Sequence, residues 1–161
     1  MLEINMIMSL LGHPVTDHEL AVWLNSIGVD SGGVVLESGK FTLHIEMMKE
    51  GFSLTFTDEA MYFGKQDQPV GDGPLYFTGV FFYSDGKDGY REYKGVLPMG
   101  LDFSNTHQEV LDCLGVPSYQ RTRSDGSVIS ERWDHPDYSL SVTYAKGSDD
   151  VTLISLFRPC S

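Results

Sequence analysis

Thr106-His107-Gln108-Glu109-Val110, with Tyr138-Ser139-Leu140-Ser141-Val142-Thr143 downstream, repeats in pattern an earlier pair of segments, Thr16-Asp17-His18-Glu19-Leu20 and Phe52-Ser53-Leu54-Thr55-Phe56-Thr57. A Thr followed three residues later by Glu is a capping box, which marks a helix start; strict alternation of apolar and small polar residues marks a strand with one wet face. Two such echoes in the same order imply one supersecondary unit used twice. The expected fold is therefore α+β: two tandem helix-plus-three-stranded antiparallel sheet units packed side by side, with an extra N-terminal helix. The first unit is expected over residues 1–83 and the second over 101–161, joined by a connecting loop at 84–100 within one compact domain.

Working outward, Ile4, Ile7, Met8 and Leu11 fall on one face of a short helix that Gly12 closes, with Pro14 beyond. Thr16 and Glu19 cap the next helix, whose stripe is Leu20, Trp23, Leu24 and Ile27, ending at Gly28. The period then drops to two: Phe41, Leu43, Ile45 and Met47 form one strand face, Phe52, Leu54 and Phe56 the next, and Leu75 to Tyr83 a third strand with aromatics on both sides. Ser84-Asp85-Gly86-Lys87-Asp88-Gly89 is turn chemistry. In the second unit Val110, Leu111 and Leu114 face inward from a helix that stops at Gly115. Residues 121–126 read as a charged turn, and strands follow at 128–133, 138–144 and 151–158.

The chain has 161 residues and 41% hydrophobic content, sufficient for its own core. No apolar run reaches the 18 or so residues of a membrane span. Met1-Leu2-Glu3 is not the start of a secretory signal, so the expected address is the cytoplasm. Two cysteines, Cys113 and Cys160, make no disulfide framework and read as free thiols, Cys113 as a buried small hydrophobe. The formal net charge of -12 disfavours nucleic acid and anionic membrane and favours a basic protein partner.

No catalytic or metal-binding arrangement emerges, and no cofactor is expected. The five histidines show no His-x3-His spacing, and His18 and His107, in the first turns of helices, read as neutral and solvent-facing. Cys113 and His107 are six residues apart on one helix and do not face each other. Trp133-Asp134-His135-Pro136-Asp137 has the residues of an acid–base site but also those of a hairpin turn, and the turn is the simpler account. There is no phosphate-cradling glycine loop and no calcium loop. What remains is a set of aromatic and acidic residues in the expected outer loops. Asp67, Asp72, Asp85, Asp88, Tyr90, Glu92, Tyr93 and Tyr119 are the expected protein-binding positions, since tyrosine gives contact area at low entropic cost and carboxylates select a basic partner.

The stretch from Phe82 through Leu101, with Glu109-Val110, Leu114-Gly115-Val116-Pro117, Arg132-Trp133-Asp134 and the opening Leu10-Leu11-Gly12-His13-Pro14, resembles small bacterial proteins encoded beside polymorphic or contact-dependent toxins and taken to be their immunity proteins. The doubled helix-then-sheet pattern also resembles the beta-lactamase inhibitory proteins and a small outer-membrane assembly lipoprotein, both of which act by binding, although this chain shows no lipidation signal. The resemblance implies a non-enzymatic protein that neutralises a cognate, basic toxin domain by covering its active site. An adaptor that pairs a peptide with a sheet edge, or a small hydrolase using Asp134 and His135, are the alternative expectations.

Overall fold

The computed structural model describes residues 2–159; Met1 and Ser161 lie outside the described residues, as does Cys160 with its expected free thiol. The chain is α+β. Helices α1 (Ile4–Leu10) and α2 (His18–Ser26) come first, followed by strands β1 (Thr42–Met47) and β2 (Phe52–Asp58), the one-turn helix α3 (Glu59–Tyr62) and strand β3 (Leu75–Tyr83). Helix α4 (His107–Leu114) then precedes β4 (Tyr119–Thr122), β5 (Val128–Asp134), β6 (Ser139–Tyr144) and β7 (Val151–Phe157).

The strands form one seven-stranded sheet in the order β1-β2-β3-β7-β6-β5-β4, rather than two three-stranded units side by side. Every neighbouring pair is antiparallel. The last strand of each half meets the other at the centre, where β3 pairs with β7. Beyond β5 lies β4, a strand absent from the expected set, whose last two residues, Arg121 and Thr122, fall in the expected charged turn at 121–126. All four of its residues are exposed, so no alternation of burial betrays it.

Core formation follows from the alternation. Phe52, Leu54 and Phe56 of β2 stand opposite Phe82, Val80 and Phe77 of β3, and Leu156 and Ile154 of β7 continue the same face toward Leu140 and Val142 of β6. Onto this face α1 lays Ile7 and Leu10, α2 lays Leu20, Trp23 and Leu24, and α4 lays Val110, all in one buried cluster. Phe77 is gripped between Trp23 and Phe56 at ring separations of 5.5 and 5.6 Å. Burying side chains of this size contributes about 1.5–3 kcal/mol each.

The helix starts are set by side-chain caps. Thr106 and Glu109 make the expected reciprocal capping box at α4. At α2 the cap is Asp17 instead of Thr16: its carboxylate accepts from the Leu20 amide at 3.0 Å. Cys113, expected to be buried, is exposed on α4, where Val110 alone is fully buried, and its thiol donates to the Met99 carbonyl.

The opposite face of the sheet is not packed by α1, α2 or α4. One row of residues crosses all seven strands on this side, running Glu46, Ser53, Phe81, Ser155, Ser141, Arg132, Tyr119. The next row runs His44, Thr55, Gly79, Phe157, Ser139, Asp134. Small hydroxyl residues thus surround a partly exposed apolar centre of Phe81, Leu153 and Phe157.

Candidate interaction surface

The positions singled out from the sequence fall in three separate places. Asp67 and Asp72 are exposed in the loop between α3 and β3. Asp85, Asp88, Tyr90, Glu92 and Tyr93 share the segment that follows β3. Tyr119 stands apart on the edge strand β4, half exposed, with the Arg132 guanidinium 5.1 Å from its ring centre. Since β3 is third and β4 last in the sheet order, these residues do not make one patch.

Tyr90 and Tyr93, expected as exposed contacts, are each only 4% exposed. The segment carrying them wraps the end of the sheet. Backbone bonds from Arg91 to the Met48 carbonyl and from Tyr93 to the Tyr83 carbonyl fasten it there, and Gly51 provides the space in which residues 91 and 93 lie against the β1–β2 turn. Tyr90 ends up stacked on Tyr83 at 3.6 Å, and burial raises its hydroxyl pKa above the usual tyrosine value. Tyr93 emerges on the helix side, in edge-to-face contact with Phe52 and tilted against Phe82. Of the remaining positions, Asp85 and Asp88 are exposed, while Glu92 is half-buried and bridged to Lys94. Asp88 adopts a left-handed backbone at φ 52° that suits Asp in a turn.

Ionisable side chains converge at one place that sequence reasoning missed. Glu131, whose side chain is fully buried, lies beneath α4 and accepts from His107 Nε2 at 2.8 Å, Gln120 Nε2 at 2.9 Å and the Tyr144 hydroxyl at 2.9 Å. His107 is therefore half-buried against Tyr144 rather than facing solvent. Burial, with Glu131 as acceptor, pushes the Tyr144 hydroxyl pKa up. A signal was present: Ile129, Glu131 and Trp133 share one face of β5, and a carboxylate in a core-facing position calls for donors. The cluster pins α4 to β4, β5 and β6, and Trp133 adds an indole bond to the Gly115 carbonyl at the helix end.

The Asp134–His135 string is a hairpin between β5 and β6. Asp134 accepts from Ser139 at 2.7 Å and from Arg132 at 2.9 Å, and His135 stacks on Tyr138. Its carboxylate is occupied by those two partners, which hold its pKa below the usual range. The same direction holds at Asp17 through the Leu20 amide, at Asp102 through Ser104, at Asp125 through Ser127 and at Glu59 through Lys65. A carboxyl group whose folded pKa lies below its unfolded value stabilises above the unfolded value and ceases to as pH falls through the folded one. The urea midpoint is therefore expected to decline as pH drops from about 5 to 3, across and below the ordinary carboxylate range. A midpoint that rises over that interval would count against these bonds.

Three clefts bear on what this surface can hold. The largest, about 640 Å³, lies between the 34–41 segment and the 70–75 loop and is rimmed by the exposed Val35, Phe41 and Val70. Buried Asp58 at its base already accepts from the Ala60 and Gly71 amides. Two others, of about 460 and 570 Å³, flank the start of α1, and Glu3 lines both. Among the described residues no three of His, Cys, Asp or Glu are grouped as metal ligands, and no helix is long and apolar enough to cross a membrane.

No protein-family model, curated protein or solved structure matches this chain.

Proposed function

We propose that this chain is an immunity protein of the bacterial cytoplasm, which binds the catalytic domain of a cognate toxin and neutralises it by covering the active site. The observation that carries the proposal is the charge: 23 acidic residues against 11 basic ones on a small domain, with Lys65–Glu59, Lys94–Glu92 and Arg132–Asp134 the Lys or Arg ion pairs among the described residues. Such a surface attracts a basic protein and accelerates its encounter. The resemblance of residues 82–101 and their flanking motifs to toxin-linked proteins supports the same reading.

The doubling inferred from the echoes belongs to this proposal as well. An ancestral helix followed by three strands would account for α2-β1-β2-β3 and α4-β5-β6-β7, with the two terminal strands paired at the centre and β4 added at one edge. That edge favours a second reading, in which the exposed strand β4 accepts an extended peptide from an adaptor's partner.

Co-expression with the toxin domain encoded by the neighbouring reading frame tests the main reading. Growth is expected to be restored and a stable complex to be isolated. The association rate should fall as ionic strength is raised through the range where the screening length shrinks to about 8 Å. Continued killing by an expressed, folded pair would refute the immunity assignment, and a rate indifferent to salt would remove its electrostatic basis.

A further inference from the structure

The basic residues are not evenly spread along the fold. Residues 2–39 and 95–120, which supply α1, α2 and α4, hold eight of the acidic residues and not one Lys or Arg. All three helices pack on the same face of the sheet, so their outward surfaces make one side of the molecule with carboxylates and, among its own residues, only histidines as possible cations. Fixed positive charges lie at its margin: Arg158 packs against Gly12, Lys94 is tied to Glu92, Lys49 is exposed in the β1–β2 turn, and exposed Arg91 is fastened to that turn through its amide.

On this side the cleft of about 460 Å³ between α1, α2 and the β1–β2 turn has an apolar lining, with Met6, Trp23 and Phe52, and two carboxylates, Glu3 and Glu50. Among the described residues neither carboxylate is in an ion pair. Met6 is 43% exposed, an apolar contact beside these two carboxylates. A long cationic side chain matches both features, because its methylene stem covers apolar surface while its head stays with the carboxylates.

Resting on the proposed toxin-binding reading, we infer that the helical side is where a basic partner docks. The cleft between Glu3 and Glu50 receives a lysine or arginine from an exposed segment of that partner. The loops at 64–72 and 84–92 then lie outside the primary contact. Glu3 serves this role at no cost to the fold, since it precedes α1 without making a side-chain cap bond.

Titration of the isotopically labelled full chain with an oligolysine peptide at low ionic strength tests this. Saturable amide shifts are expected to centre on residues 2–7, 23–27 and 47–52. The double variant Glu3→Gln/Glu50→Gln is expected to weaken binding about fivefold, with its spectrum otherwise that of the parent, while Asp67→Asn/Asp85→Asn leaves affinity unchanged. Shifts centred on 64–72 or 84–92, shifts without a focus, no saturable binding, or an unaffected double variant would each overturn the assignment. The two readings fail separately: co-expression without protection sinks immunity while leaving the peptide map intact, and protection accompanied by shifts elsewhere sinks only the cleft.

Discussion

Glu131→Ala is expected to lower the stability of this protein by about 3–5 kcal/mol, the range for removing one partner of a buried, hydrogen-bonded charged group. The substitution strands three donors at once, on His107, Gln120 and Tyr144, and leaves a gap beneath α4. Glu131→Gln keeps the shape and one acceptor oxygen and should cost less, about 1–3 kcal/mol. Because the donors share one acceptor, Tyr144→Phe should cost much less in the Glu131→Ala background than alone. Urea unfolding with an unchanged denaturant slope measures all of these. A Glu131→Ala variant within about 1 kcal/mol of the parent would show that α4 is held by Val110 and Trp133 without the polar cluster.

Gly51→Ala should be at least as damaging, through the backbone instead of a side chain. Gly51 has φ +83°, in the left-handed region, and its added methyl would collide with the Tyr93 amide and the Arg91 carbonyl. The conformational penalty alone is about 1–2 kcal/mol. The collision adds to it by forcing the 91–93 segment away from the β1–β2 turn, loosening Tyr93 from Phe52 and Phe82. Expected readouts are a total loss above about 3 kcal/mol and faster hydrogen exchange at Arg91 and Tyr93, whose amides bond to Met48 and Tyr83. Gly28→Ala, where φ is +86° but no atom lies near the added methyl, separates strain from collision and should cost only the former.

Local pattern made much of this fold readable. The caps at Asp17 and Thr106 lie within one residue of the expected helix starts, and every strand with an apolar–polar alternation was legible, including Tyr138-Ser139-Leu140-Ser141-Val142-Thr143. What was illegible depended on tertiary contacts. Strand β4 carries only exposed residues, so its pairing with β5 leaves no periodic trace. Tyr90 and Tyr93 sit among glycines and aspartates that signal a loop, and their burial follows from the way that loop is drawn against Gly51. His107 looked solvent-facing because its acceptor is 24 residues away on another element. Cys113 was misread because α4 rests on the sheet through a narrow stripe. For the candidate surface, charge was readable from composition, but its concentration on the helical side required knowing that three distant helices share a face.

The central pairing of β3 with β7 also bears on how the protein is made. During synthesis, residues 2–83 can leave the ribosome and assemble their meander while the partner for the outer edge of β3 is still untranslated; it arrives only with residues 151–157. Until then that nascent half displays a row of unsatisfied amides and carbonyls beside Phe81, a template for pairing with another chain. Release of a polypeptide truncated anywhere before residue 151 should accordingly give an aggregating product rather than a smaller soluble domain.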